Sequence, residues 1–178
     1  MCEPEDETIL EGRSMTDYTY VEHDFEPVYD EHSRILILGT LPSVKSRKMQ
    51  FYYGHPQNRF WKVIAAICNE SVPQTIEEKK ALLLRNRIAI WDVIHSCNIM
   101  GSSDSSIQDV VANDMSEVLK QAPIKQIFAN GTKAYELYQK YVFPQTKREI
   151  VKLPSTSPAN AGYGLERLCE EWKRQINI

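Results

Sequence analysis

Four short apolar runs recur along this chain with helical patterning between them: Arg34 to Gly39 (RILILG), Ile88 to Val93 (IAIWDV), Ile124 to Asn130 (IKQIFAN) and Arg148 to Pro154 (REIVKLP). Runs this short and this rich in β-branched residues and leucine fit strands buried on both faces. Helical periodicity covers Asn58 to Asn69, Ile76 to Leu84, Met115 to Gln121, Lys133 to Tyr141 and Leu165 to Ile176. Strands alternating with helices predict an α/β domain, a three-layer α/β/α arrangement around a short, mostly parallel central sheet of about four strands. Such sheets bind ligands at the C-terminal ends of their strands. That rule selects four loops: Gly39 to Asn58, Asp92 to Asp104, Asn130 to Thr132 and Leu153 to Gly164. Ser96 to Ile107, rich in serine and glycine, reads as loop throughout.

Length and charge organise the rest. The 178 residues suit one domain, 19–178, behind an acidic leader, 1–18, that lacks periodicity and is expected to be disordered. Residues 1–31 hold eleven acids and one base, a net charge of −10, whereas residues 32–178 hold 20 bases and 13 acids, a net +7. A basic body suits a polyanionic partner, and the leader reads as a solvated tail rather than a mimic of DNA. Phe25 to Ser33 is expected to pack at the domain edge. No run of 18 apolar residues exists and no apolar stretch follows the first residues, so no membrane partner and no export are expected. The expected address is the cytoplasm, with the DNA, or the nucleus in a eukaryote. Cys2, Cys68, Cys97 and Cys169 are scattered and form no CxxC pair. Neither a metal site nor any other cofactor is expected.

The loop from Gly39, GTLPSVKSRKMQFYYGHPQNRFW, gathers polar and aromatic groups. Gly39 is expected to let the chain turn sharply, and Thr40, Leu41, Pro42 and Ser43 offer amides and hydroxyls to a polar ligand. Neither GxxxxGK[ST] nor GxGxxG is present, which excludes a P-loop and a dinucleotide turn. Lys45, Arg47 and Lys48 suit phosphates. Phe51, Tyr52 and Tyr53 have the composition of a base-stacking wall, or equally of a core beside solvated cations. In the last loop, LPSTSPANAGYG, Ser155, Thr156 and Ser157 lie between Pro154 and Pro158. Such a rigid, hydroxyl-bearing loop suits a DNA backbone, or an ordinary strand-to-helix connection.

GTLPS, HPQNRFWKVI and LPSTSPANAG, in this order, resemble the motifs of the uracil-DNA glycosylase superfamily over roughly Glu26 to Ile178. The first two are similar to the mismatch-specific uracil/thymine branch, where a GINPG turn precedes HPxNRFW at the same distance. That branch keeps its catalytic asparagine in the turn, where this chain has Leu41, and leucine cannot position water. The hypoxanthine-DNA (deoxyinosine) branch also lacks an Asn or Asp in that first motif. This chain resembles it in the SPAN form of Ser157 to Asn160 and in IAIWDV followed by GSSDS, and the key asparagine of its HPxN segment is here Asn58.

The resemblance implies a monomeric, cofactor-free DNA repair glycosylase. Such an enzyme flips a deaminated base, hypoxanthine above all, out of double-stranded DNA and hydrolyses its N-glycosidic bond with water. Asn58 would be catalytic. Gly39, Thr40, Leu41, Pro42, Ser43, Tyr53, His55, Asp92, Ser155, Thr156, Ser157, Pro158 and Asn160 would bind the substrate, with Lys45, Lys48 and Arg59 on the DNA backbone. Tyr53 stands where the mismatch branch stacks a phenylalanine. Single residues keep blander readings: Asn58 as a helix cap, Asp92 as a helix or loop cap rather than an acceptor for the hypoxanthine N1–H, His55 as a brace for its loop. Two other functions stay open, a glycosylase for uracil or thymine mispairs and a nucleic-acid-binding module of the same fold without catalysis.

Overall fold

The computed structural model describes residues 17–101 and 103–178. The leader expected at 1–18 lies outside the described residues except for Asp17 and Tyr18. Along the chain run β1 (Thr19–Glu22), β2 (Ile35–Gly39), α1 (Val44–Met49), α2 (Phe60–Cys68), α3 (Ile76–Arg85), β3 (Ile88–Asp92), β4 (Ile94–Ile99) and β5 (Gln108–Ala112). They are followed by α4 (Ser116–Gln121), β6 (Gln126–Asn130), α5 (Thr132–Leu137), α6 (Phe143–Thr146), β7 (Ile150–Leu153) and α7 (Leu165–Gln175).

All four apolar runs become strands of one parallel sheet in the order β3-β2-β6-β7, flanked by helices. Every residue of β2 and β3 is buried, which is why these runs carry no polar alternation. The chain leaves β2 towards β3 on one side and leaves β6 towards β7 on the other, so the order reverses between β2 and β6. Their C-terminal ends, Gly39 and Asn130, therefore flank the crevice where such sheets take ligands. The free edge of β3 is closed by Val28, whose N–H and C=O pair with Ile90 at 3.0 and 2.9 Å. This places the Phe25 to Ser33 segment at the sheet edge.

The second sheet was not legible. β1, β4 and β5 form an antiparallel layer in the order β1-β4-β5, although Ser96 to Ile107 reads as loop in the sequence. β4 follows β3 after the single residue Val93, and Asn113 holds that corner by donating to the carbonyls of Asp92 and Ile94 at 2.9 and 3.1 Å. Burial in β4 falls on Ile94, Ser96, Cys97 and Ile99. Serine and cysteine at inward positions disguise the strand, and its neighbours supply the pairing. The helix expected over Lys133 to Tyr141 also differs: α5 passes through a π-type turn at Tyr138–Val142 into α6. Pro144 enters α6 without an N–H to donate, and the hydrogen-bond ladder shifts there.

Most rings of the Phe51 to Trp61 stretch are core. Phe51, Tyr52, Phe60 and Trp61 are buried, and Lys79 and Lys80 lie over the Trp61 and Phe51 rings. Only Tyr53 stays half-exposed. Tyr53 stacks on Phe60 at 3.8 Å, and Phe60 meets the edge of Trp172 at 6.0 Å. Trp172, fully buried in α7, donates from its indole Nε1 to the Pro154 carbonyl at 2.9 Å. Aromatic packing thus ties α2 and α7 to the loop after β7. Among the described residues, no helix is long and apolar enough to cross a membrane.

Trp172→Ala removes both the core ring and the Pro154 bond. Urea denaturation should show a loss of about 3–5 kcal/mol; a loss under 1 kcal/mol would mean that α7 does not anchor this loop.

Candidate active site

A cavity of about 570 Å³ opens at the C-terminal ends of the parallel strands. All four sequence-selected loops line it: Gly39, Thr40, Leu41, Pro42, Ser43, Tyr53, His55 and Asn58 from the first, Asp92 and Asp104 around the second, Asn130 from the third, and Ser155, Thr156, Ser157 and Pro158 from the last. Sites of such size, with a few converging polar groups, hold small ligands or single bases.

At its wall three side chains form a relay of fixed polarity. The Thr156 N–H donates to Asn130 Oδ1 at 3.0 Å, so the Asn130 Nδ2 must face the Thr156 hydroxyl, to which it donates at 3.0 Å. The hydroxyl donates onward to Asn58 Oδ1 at 2.8 Å. Asn58 Oδ1 also accepts from the Phe60 N–H at 2.9 Å. Two backbone donors therefore fix both amide orientations, and the hydroxyl has one direction left. Both acceptor positions of Asn58 Oδ1 are filled, whereas its Nδ2 has no partner among the described residues. The capping role of Asn58 is thus present, carried by Oδ1, and leaves an amide donor over.

The loop around Thr156 is held from α2. Arg59 was expected on the DNA backbone, but its guanidinium is turned inward. It donates to the carbonyls of Ser157 at 2.9 Å, Asn160 at 3.1 Å and Thr156 at 3.4 Å, and also to that of Tyr163. Its backbone N–H donates to the Thr156 carbonyl as well. A planar five-donor fork matches this ring of carbonyls, and little is left for a phosphate. Asn160 likewise braces the loop, donating to the Ser155 carbonyl at 3.0 Å, and it does not line the cavity. Ser155 Oγ accepts from the Ser157 N–H, and Ser157 Oγ from the Ala159 N–H. Each hydroxyl keeps its own proton to give.

Among the described residues, the carboxylate of Asp92 caps no backbone amide. Its Oδ2 lies 2.8 Å from His23 Nε2, and both side chains are buried. Asp92 Oδ1 has no hydrogen-bond partner among the described residues. His23 was missed in the sequence, being one histidine at the edge of an acid-rich stretch. Pairing of β1 with β4 delivers it, through the bond from the His23 N–H to the His95 carbonyl at 2.6 Å. Gly39 proves necessary for space rather than for a left-handed turn. A Cβ there would sit 2.4 Å from Asp92 Oδ1 and 2.8 Å from the Tyr53 hydroxyl. Burial, reinforced by Asp92, pushes the Tyr53 phenol far above its usual range. Asn130 eases this slightly without reaching hydrogen-bond geometry. Asp104 is exposed, yet the crowding of the concave mouth and the charge of Asp92 raise its carboxyl, partly offset by Lys133.

His55 does hold its loop: Nδ1 accepts from the Gln57 N–H at 3.1 Å, which leaves Nε2 as the bearer of the proton in the neutral ring. Lys45 and Lys48 are exposed on α1 outside the cavity lining, and Arg47 braces the first turn by donating to the Pro42 carbonyl at 2.8 Å. Among the described residues, no three His, Cys, Asp or Glu side chains are grouped to hold a metal ion. No lysine lines the cavity among these residues.

Comparison with known proteins gives one consistent result. Residues 26–177 match the model of the family described as the uracil DNA glycosylase superfamily. A protein of Methanosarcina acetivorans named "Hypoxanthine DNA glycosylase" is 38% identical over 157 residues, covering 86% of this chain and 96% of that protein. One of the same name from Methanosarcina barkeri is 40% identical over 115 residues, 63% of this chain and 72% of that protein. A solution NMR structure from Methanosarcina acetivorans, of a protein whose given name proposes a uracil DNA glycosylase, superimposes with a TM-score of 0.73 at 38% identity. It covers 85% of this chain and 93% of that one.

Arg59→Lys should separate a brace from a phosphate contact. One ammonium cannot span four carbonyls, so amide exchange in residues 155–163 should speed up and stability should fall by about 1.5–3 kcal/mol. The salt dependence of DNA affinity should keep its slope, whereas Lys45→Ala or Lys48→Ala should flatten it by about one ion. An Arg59→Lys protein with a flatter slope and unchanged exchange would restore the phosphate role.

Proposed function

This chain belongs to the uracil DNA glycosylase superfamily, and we propose that it hydrolyses hypoxanthine from deoxyinosine in double-stranded DNA. The names of the Methanosarcina relatives support the substrate. The observation that carries the mechanism is Asn58, which lines the cavity and is immobilised by two hydrogen bonds at Oδ1, with Nδ2 left without a partner among the described residues. Leu41 lines the same cavity without a polar atom, so the uracil/thymine mechanism lacks its asparagine in the turn.

The reaction follows from these parts. The nucleotide is extruded at a cost of a few kcal/mol, less at an inosine mispair than at a sound pair. Lys45 and Lys48, with the free hydroxyl protons of Ser155 and Ser157, meet backbone phosphates and hold the bent strand. The C1′–N9 bond loosens, its electron pair moving into the purine while the sugar becomes oxocarbenium-like. Asn58 Nδ2 donates to the oxygen of a water and holds it against C1′, where the remaining lone pair closes the C–O bond. The proton released by that water ends on the base or in solvent. Asparagine does not titrate, so positioning rather than base strength is the contribution. Among the described residues no lysine lines the cavity to form an imine, and in this reading the reaction stops at the abasic site. The working unit we propose is a monomer, active in whichever compartment holds the DNA.

Asn58→Ser keeps an oxygen to accept from the helix and loses the amide donor. Stability should stay within about 1 kcal/mol and inosine-DNA affinity near wild type. Single-turnover excision should fall 10²-fold or more, about 2.7 kcal/mol of barrier. Excision within a few-fold of wild type would remove Asn58 from the centre of the mechanism.

A further inference from the structure

A second hollow, of about 600 Å³, lies at the opposite pole of the parallel sheet, where its strands begin. Arg34, Arg87 and Lys125 line it, and they hold equivalent places in three neighbouring strands. Ile35 of β2 pairs with Ile88 of β3 and with Gln126 of β6, and the residue before each of the three is one of these cations. Backbone bonds continue the pattern: the Arg34 N–H donates to the Arg87 carbonyl at 2.8 Å, and the Lys125 N–H to the Arg34 carbonyl at 2.7 Å. β7 extends the row. Ile150 pairs with Ile127, so Arg148, two residues earlier, falls level with Lys125. In spatial order the rim reads Arg87, Arg34, Lys125, Arg148, one cation from every strand. With neighbouring strands about 4.8 Å apart, the row is roughly 14 Å long.

Like charges at adjacent cross-strand positions work against folding, and nothing on the protein offsets them. Among the described residues none of the four forms an ion pair, and no Asp or Glu lines the hollow. Arg85, a further base in the lining, shows the contrast: Glu70 holds its guanidinium, with Nε donating at 3.0 Å. Nor are the four needed to cap a helix. The last carbonyls of α3, those of Leu82, Leu83 and Leu84, accept from the N–H groups of Asn86 and Arg87 and from Asn86 Nδ2. Arg34 gives one N–H to the Ser33 carbonyl at 3.2 Å, and Arg148 gives one to that of Ile124, beside Lys125. The side chains of Arg87 and Lys125 are exposed and have no partner among the described residues.

We propose that this row is a second anion site, distinct from the catalytic cavity, and that it takes linked phosphates. Guanidinium forks pair with phosphate oxygens two at a time, and the lysine adds a mobile point charge. Four cations in line match a chain of anions better than a single one. Five residues of β2, roughly 16 Å of strand, separate the row from the cavity. A duplex engaged at the cavity therefore lies on the far side of the sheet and leaves the row free. The phosphates come either from a second strand of nucleic acid or from a free polyphosphate. A second strand would let the chain keep hold of one DNA segment while its cavity searches another. The same four side chains serve both sources, and only affinity separates them.

The test is a titration of the full, isotopically labelled chain at low salt, read from its backbone amide signals by NMR. The probes are tripolyphosphate, a short lesion-free oligothymidylate and an oligoglutamate of equal charge. Either phosphate probe should shift the amides of Arg34, Ile35, Ile88 and Gln126 saturably. Oligothymidylate affinity at this pole should fall with salt at a slope of about three ions. The double variant Arg87→Gln/Lys125→Gln should weaken that binding at least about fivefold and roughly halve the slope. Its melting temperature should hold or rise at low salt, because repulsion is relieved. Tighter binding of tripolyphosphate assigns the site to free polyphosphate, and tighter binding of the oligothymidylate assigns it to a nucleic-acid strand. Shifts confined to the cavity pole would overturn the proposal, as would a double variant that binds both phosphate probes like wild type. Oligoglutamate bound as tightly as either would make the row a site for acidic peptide instead. No base is released in these titrations, so this reading and that of the cavity fail independently.

Discussion

Two backbone N–H groups, those of Phe60 and Thr156, determine the direction of every hydrogen bond in the Asn130–Thr156–Asn58 relay at the cavity wall. Each points at an amide oxygen, one on Asn58 and one on Asn130, and the Thr156 hydroxyl is left with a single way to connect them. The arrangement exists only while the loop after β7 lies against the start of α2. That docking is the task of Arg59, whose guanidinium gathers carbonyls from Thr156 to Tyr163. A charged donor held by several carbonyls is among the stronger polar contacts a protein can make. The residue that the sequence suggests for DNA is used to build the site that DNA enters.

Rigidity of this kind suits the chemistry. An asparagine can neither gain nor lose a proton near neutrality, so it contributes only through being already in place when charge develops on the sugar and the base. The apolar structure beneath serves the same end. Tyr53, Phe60 and Trp172 form a line of rings from cavity to core, and the last of them holds the Pro154 carbonyl. Packing and polar bonds fix the same loop from two sides.

The parallel sheet was legible because β2 and β3 are buried throughout and β6 nearly so, which leaves a continuous apolar signature, while β7, with Lys152 exposed, keeps only the short β-branched and leucine pattern. The rule that ligands sit at the C-terminal ends then located all four loops of the cavity. The antiparallel sheet was not legible, since Ser96 and Cys97 face inward on β4 and break the alternation that marks a half-buried strand. His23 was hidden for a related reason. Its importance depends on strand pairing that brings it to Asp92 across 69 residues, and no local pattern encodes such a meeting. Residue types alone also gave no sign that Arg59 and Asn160 brace the loop after β7. A cation beside aromatic rings looks the same in sequence whether it faces phosphate or a ring of carbonyls.

The most direct test of this account is chemical and needs no variant. Purified chain in excess over a duplex with one deoxyinosine is incubated in a single turnover, and the free base is quantified by chromatography. The account predicts stoichiometric release of hypoxanthine and an intact backbone that breaks only on later treatment with alkali. A duplex that is bound but keeps its base would contradict it, and would leave this cavity as a reader of DNA rather than a hydrolase.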